Sequence, residues 1–345
     1  MEKITTVGID LAKSVFQVHA IDSSGQVIVS KAVKRTGFVA LLAKFPACLV
    51  GMEACASSHH WARELTKLGH DVRLIPPSYV KAYVRRQKND AADAAAICEA
   101  VSRPSMRFVP VKSEEQQSAL MAHRARALLV GQRTALICAV RAHLAEFGVV
   151  SATGPRNIAP LLSILADETD TRVPAMARGA LGPLVEQLKT LGTQIEVLDR
   201  QILDWHRANA ISLRLAAIPG VGPLTATALA ASITDPTMFK SGREFAAFLG
   251  LAPRQSSSGG KEKLGRISKM GDRYLRSLLV VGATAVLRHA KAKASPSRIW
   301  AEQLMIRKPF KLVAVALANK TARIAWAVMA RGEDYRTTES VAVAA

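Results

Sequence analysis

Alternating apolar and polar positions organise the first hundred residues. The stretch Lys3–Lys13, KITTVGIDLAK, is a short β-branched run that ends on one acid, Asp10. The segment SVFQVHAIDSSGQVIVSKAVKR then reads as two strands around the turn Asp22-Ser23-Ser24-Gly25. Val15, Gln17 and His19 fall on one face, and Phe16, Val18 and Ala20 on the other. The first three strands are therefore expected to form an antiparallel meander. Helical periodicity follows over Thr36–Phe45, a short apolar strand carrying Glu53 over Ala47–Ala54, and a helix over His59–Leu68. Asp71–Ile75 reads as a strand closed by Pro76-Pro77, and Asp90–Val101 as an alanine-rich helix.

Three strands followed by alternating helix and strand suit a ribonuclease H-like α/β fold, whose central sheet carries acids at strand ends and on a late helix. Downstream the pattern turns helical. Ser113–Phe147 forms a long basic helix with a capping-box-like start at Ser113-Glu114-Glu115-Gln116. Val150–Pro174, broken at Gly154-Pro155, reads as a linker with at most a short helix. From about Ala175 a second long helix places Leu181, Leu184, Leu188, Leu191, Ile195, Leu198, Ile202 and Trp205 at alternating steps of three and four, the seam of a coiled coil. Its partner is either the first long helix, in a hairpin, or its counterpart in another chain; the length of the seam favours a contribution to assembly.

In the last third, Ile218-Pro-Gly-Val-Gly-Pro-Leu-Thr-Ala226 is similar to the turn of a helix-hairpin-helix element. Gly220 and Gly222 would let backbone N–H groups approach a phosphate at a helix N-terminus. The same string also suits a plain interhelical turn. Phe239–Leu251 reads as a short helix. A loop rich in serine, glycine and cations then begins at Ala252 and runs into a helix that starts with Arg273 and Arg276.

Composition adds a partner class. With 47 Lys and Arg against 27 Asp and Glu among 345 residues, the formal charge is +20. A surplus of that size points to nucleic acid, against the plainer alternative of a basic enzyme without such a partner. Cys48, Cys55, Cys98 and Cys138 show neither CxxC pairing nor zinc-finger spacing, so reduced thiols are expected rather than disulfides or structural zinc. No leader and no uninterrupted membrane-spanning apolar run is read, so a cytoplasmic protein without membrane contact is expected.

Chemistry is carried by two groups. Asp90 and Asp93 are three apart, so on a helix they share a side and can face the strand-borne Asp10 and Glu53. Four clustered carboxylates repel unless divalent cations sit among them, and hard oxygen donors favour Mg²⁺ or Mn²⁺. Two such ions would suit phosphodiester cleavage. Each acid taken singly also has a solvated or capping role open to it. The second group is the loop, which reads either as a flexible basic clamp on DNA or as the seat of a serine nucleophile. In the latter reading Lys261, Lys263, Arg266 and Lys269 offset the charge gathered on an attacked phosphate. Ser258, directly before Gly259-Gly260, has the most backbone freedom, with Ser257 as the alternative nucleophile.

GIDLAK, GMEAC, KNDAAD, IPGVGPLTA and LGLAPRQSSSGGKEKLGRISKMGDRYLR, occurring together in this order, resemble the DEDD transposases of insertion sequences, relatives of the Piv-type DNA invertases. The resemblance implies a RuvC-like catalytic domain over residues 1–110, a coiled-coil region over 111–212, and a mainly helical C-terminal transposase domain over 213–345. It further implies Asp10, Glu53, Asp90 and Asp93 as a metal-binding catalytic tetrad and Ser258 as the residue linked transiently to DNA. A structured guide RNA bridging donor and target DNA, and composite active sites in a dimer or tetramer, complete what it implies. The triple serine Ser256-Ser257-Ser258 leaves the nucleophile open by a position. A RuvC-like junction nuclease without a covalent intermediate, and a non-catalytic DNA-binding protein, are the alternatives.

Overall fold

The computed structural model describes residues 3–83, 89–257, 260–261, 263–289 and 295–336. Two compact units divide the chain, Met1–Glu114 and Glu115–Ala345.

The first unit is built on a five-stranded sheet. Its strands are β1 (Ile4–Asp10), β2 (Val15–Asp22), β3 (Val27–Lys34), β4 (Leu49–Glu53) and β5 (Asp71–Ile75). They lie in the order β3-β2-β1-β4-β5. β1 and β2, and β2 and β3, pair antiparallel as the expected meander, whereas β4 is parallel to β1 and β5 is parallel to β4. Short helices α1 (Phe38–Leu42), α2 (Ser58–Lys67) and α3 (Pro77–Val80) and the longer α4 (Asp90–Val101) complete the unit. Alternation along the strands sorts the two faces. Val7, Ile9, Val50 and Met52 pack with Phe16, Phe38, Trp61 and Leu65 of one core. Ile75, Ile97, Ala100 and Val101 form a second core beneath α4. The three rings of Phe16, Phe38 and Trp61 meet edge to face with centroids 4.8 to 5.2 Å apart. Buried His70 is a satisfied core residue: its Nδ1 accepts from the Cys48 amide at 3.4 Å and its Nε2 lies 3.2 Å from the Leu42 carbonyl.

The second unit is helical. α5 (Glu114–Ala145) and α7 (Ala175–Ala208) are the two long helices, with α6 (Ala159–Ala166) between them in sequence. They run antiparallel as a hairpin. At one end Val140 and Leu144 of α5 share a core with Leu181 of α7, and toward the other Arg126 pairs with Asp199 and Trp205 Nε1 donates to Glu115 at 2.8 Å. Leu181, Leu188, Leu191, Ile195 and Ile202 of the seam are all buried within one chain. The segment read as a linker is also packed: Leu161 and Leu165 of α6 enter the same core as Val140 and Leu144. The short helix that reading allows is α6, which follows the break at Gly154-Pro155.

Beyond the hairpin lie α8 (Ala210–Ala216), α9 (Pro223–Ser232), α10 (Gly242–Phe248), the two-stranded hairpin β6 (Pro253–Gln255) and β7 (Leu264–Ile267), α11 (Arg273–Arg288), α12 (Pro296–Met305) and α13 (Phe310–Arg331). α13 is, among the described residues, the one helix long and apolar enough to cross a membrane. It serves as a core helix, burying Val313, Leu317, Ala318, Ala322, Ala325 and Val328. Part of the stretch read as a loop is thus a β-hairpin, with β6 paired to β7 through Pro253 opposite Ile267. Both strands are almost wholly exposed, so neither carried an apolar alternation to betray it.

Candidate functional site

The acids converge at one end of the first unit's sheet. In the parallel β1–β4 pair Gly8 lies opposite Gly51 and Ile9 opposite Met52, so Asp10 and Glu53 are the next neighbours in register. One residue separates each acid from its glycine, so all four positions share the sheet face that α4 covers. α4 can lie close only because that face has no side chain at positions 8 and 51. A Cβ on Gly8 would run into the Ala94 carbonyl and the Cys98 amide, and one on Gly51 would come within 2.8 Å of Val101 Cβ.

α4 begins directly at the acids. Asn89 caps it, its side chain accepting from the Ala91 amide at 3.0 Å, and this leaves Asp90 and Asp93 in the first turn. Carboxylates suit that position because the helix N-terminus is partially positive. One carboxylate oxygen from each of Asp10, Asp90 and Asp93 lies within 4.8 Å of the others. Glu53 stands alongside: burial, then the charges of Asp10 and Asp93, push its carboxyl above the ordinary glutamate value. The four expected acids are therefore brought together, three within reach of one cation and the fourth in their field. An octahedral Mg²⁺ with bonds of about 2.1 Å spans about 4.2 Å between opposite ligands. Three carboxylate oxygens this close together form an all-oxygen donor set of the kind that fits a hard divalent cation.

The glycines at 8 and 51 were not read as functional from the chain alone. Their signal was present as the repeated pattern Gly-x-acid in GID and GME.

The second unit holds the remaining expected residues. Ser258 lies outside the described residues. Ser257 is exposed just after β6, and its hydroxyl accepts from Gln255 Nε2 at 3.1 Å. The Ser256 amide donates to the Lys263 carbonyl at 2.9 Å, extending the hairpin toward its tip. Lys261, Lys263, Arg266, Lys269 and Arg273 are all exposed. Arg276 is half-buried and donates to the Leu249 and Met270 carbonyls at 3.0 and 3.2 Å, tying α11 to two turns. Lys269 is, among the described residues, the one non-glycine with positive φ, at 55°. Gly220 has φ 86°, and a Cβ there would crowd Val286 and the Gly282 carbonyl of α11. Gly222 is the N-cap of α9 and has open space where its side chain would be.

A buried polar link joins three helices of this unit. His123 of α5 lies 3.0 Å from the Tyr274 hydroxyl of α11 and 2.9 Å from Thr227 Oγ1 of α9. Thr227 donates its own proton to the Pro223 carbonyl at 2.8 Å, so His123 donates from Nε2 to Thr227 and accepts from Tyr274 at Nδ1. Burial, and less so Arg126, hold this imidazole down at about 4.

Residues 7–148 match a DEDD transposase domain of the IS110 type, a class that suggests a RuvC-like fold and generally implies use of a divalent metal. Comparison with known proteins makes the assignment specific. Residues 212–297 match the Transposase IS116/IS110/IS902 family. A probable family 20 transposase of Pseudomonas aeruginosa is 49% identical over 335 residues, 96% of this chain and 99% of its own length. The transposase for insertion sequence element IS1111A of Coxiella burnetii is 42% identical over 97% of this chain and 92% of its own. The transposase for insertion sequence element IS1328 of Yersinia enterocolitica is 39% identical over 96% and 98%. The chain belongs to the IS110/IS116 family of insertion-sequence transposases.

Proposed function

We propose that this transposase mobilises its element by metal-assisted strand cleavage and exchange, with Asp10, Glu53, Asp90 and Asp93 holding Mg²⁺, or Mn²⁺, and Ser258, or Ser257 as the alternative, linked transiently to DNA. The observation that carries the metal-binding half is the convergence of the Asp10, Asp90 and Asp93 oxygens within 4.8 Å beside a Glu53 that resists ionisation. When bound, the cation supplies Lewis-acid stabilisation of charge on the phosphate.

The chain's own residues do the rest. In-register strands and a close-packed helix hold the carboxylates before any ion or DNA arrives, so little is lost to ordering on binding. Ser258 Oγ, with Ser257 as the alternative, attacks phosphorus. Its bond to phosphorus forms as a bridging P–O bond breaks; the hydroxyl proton leaves to a base, and the departing deoxyribose oxygen takes up a proton. Reversal rejoins DNA without ATP. Lys261, Lys263, Arg266 and Lys269 offset the accumulating charge. Backbone contacts at Gly220 and Gly222, together with Arg273 and Arg276, hold DNA without reading its sequence. A formal charge of +20 suits a second polyanion as well, and the guide RNA belongs to this proposal, as do a homo-oligomer with composite sites and a cytoplasmic setting.

The test is incubation of full-length protein with element DNA and its flanking RNA in Mg²⁺, followed by denaturation. The expected product is DNA covalently attached to protein, lost in Ser258→Ala, retained in Ser257→Ala, and absent with chelator. Asp10→Asn is expected to abolish strand exchange while salt-sensitive DNA binding stays nearly intact. Clean cleavage without an adduct would replace the covalent mechanism with a metal-dependent junction nuclease. Near-normal recombination by Asp10→Asn would remove the tetrad assignment.

A further inference from the structure

The second unit contains a cleft of about 1800 Å³ between α10, the β6–β7 hairpin, α12 and α13. That is nearly twice the upper end of the usual small-molecule range, about 1,000 Å³. Its walls carry Arg243, Lys311, Lys320 and Arg323 in addition to Arg266 and Lys269, and no acidic side chain is among the described residues that line it. Two half-buried indoles, Trp300 and Trp326, lie among these cations. Lys320 Nζ stands 4.6 Å from the Trp300 ring centroid, and Trp326 Nε1 donates to the Pro236 carbonyl at 3.0 Å, which fixes its ring.

We infer that this cleft binds a run of unpaired DNA nucleotides, phosphates on the cations and bases against the indoles. A positively charged groove combined with aromatic platforms is how sequence-tolerant single-strand sites are built. A duplex keeps its bases stacked inward and has no use for an aromatic floor. The occupant is DNA because transposases of this family act on element ends, and because the cleft is lined by Arg266 and Lys269, the cations that the proposed function sets against an attacked phosphate. The inference rests on the proposed function only for that source.

The experiment uses the full chain in chelator, so that strand cleavage plays no part. A labelled oligothymidylate of about 15 nucleotides and a blunt duplex of equal length are titrated by anisotropy, with tryptophan fluorescence followed in parallel. The single strand is expected to quench tryptophan emission. Lys311→Glu combined with Arg323→Glu, both exposed, is expected to weaken single-strand binding by about tenfold or more and duplex binding by about twofold or less. Trp300→Leu is expected to remove part of the quench. Absence of quenching, or equal losses for both DNA forms, overturns the inference. So does about tenfold tighter binding of an RNA oligomer of the same length, which would reassign the cleft to RNA. Because metal is absent, such a failure leaves the tetrad standing, and inactive Asp10→Asn with intact quenching leaves the cleft standing.

Discussion

Gly8 and Gly51 face each other across the parallel β1–β4 pair, and α4 rests on both. Two residues along each strand, this bare patch gives way to Asp10 and Glu53. The bare patch seats the helix and the acids meet its first turn, so helix packing and the clustering of the acids are set by one piece of geometry.

Alanine at the two glycines should therefore have unequal effects. Gly8→Ala drives a methyl into helix backbone, which cannot move without carrying α4 away, and is expected to prevent stable folding of the first unit. Gly51→Ala meets the Val101 side chain, which can shift, and is expected to cost about 1–3 kcal/mol by overpacking. Thermal unfolding and Mn²⁺ titration read both effects. Unaltered metal affinity in a folded Gly8→Ala protein would separate α4 packing from the site.

Glu53 sets a pH dependence. Its folded pKa is raised, so the folded state binds more protons than the unfolded chain as pH rises above the ordinary value of 4.5, and stability without metal falls through that window. Glu53→Gln is expected to raise the melting temperature at neutral pH in chelator, with the difference vanishing below about pH 4.5. Added Mg²⁺ should stabilise the wild type more than the variant. Melts across pH, with and without Mg²⁺, measure this.

His123 acts in the opposite sense. Its folded pKa is lowered to about 4 from 6.5, so the unfolded chain binds the extra proton between those values. The second unit is expected to lose about 3 kcal/mol as pH falls from 6.5 toward 4. His123→Gln should flatten that slope. Denaturant titrations at several pH values compare the two proteins.

Lys269 holds a left-handed backbone that glycine adopts without strain. Lys269→Gly is expected to stabilise the second unit by about 1 kcal/mol while weakening DNA binding, since the cation is lost from the cleft. Unfolding and binding titrations on the same protein separate the two effects. A variant that loses stability would show that the side chain, rather than the turn, is what this position needs.

Much of the first unit could be read from the chain because its strands are half-buried and alternate. The helix Asp90–Val101 follows its alanine-rich run and the strand Asp71–Ile75 ends at its Pro-Pro pair. Where burial comes from distant segments, local pattern misleads. α6 looked like part of a linker, yet Leu161 and Leu165 are buried by α5 and α7. The hairpin β6–β7 looked like a loop because its pairing leaves both strands in solvent.

Residue types and their order single out Asp10, Glu53, Asp90 and Asp93 as neighbours, since period-two strands and period-three-to-four helices dictate which side chains share a face. Bringing those faces together is a matter of packing. Opposing glycines let α4 approach the sheet, and that close approach turns four acids scattered over eighty-odd residues into a cluster. The heptad seam is a similar case: its spacing announces a partner, but only the antiparallel placement of Arg126 against Asp199 and Glu115 against Trp205 shows the chain folding back on itself. Periodicity records that a surface is apolar, and the geometry of the whole chain chooses what covers it.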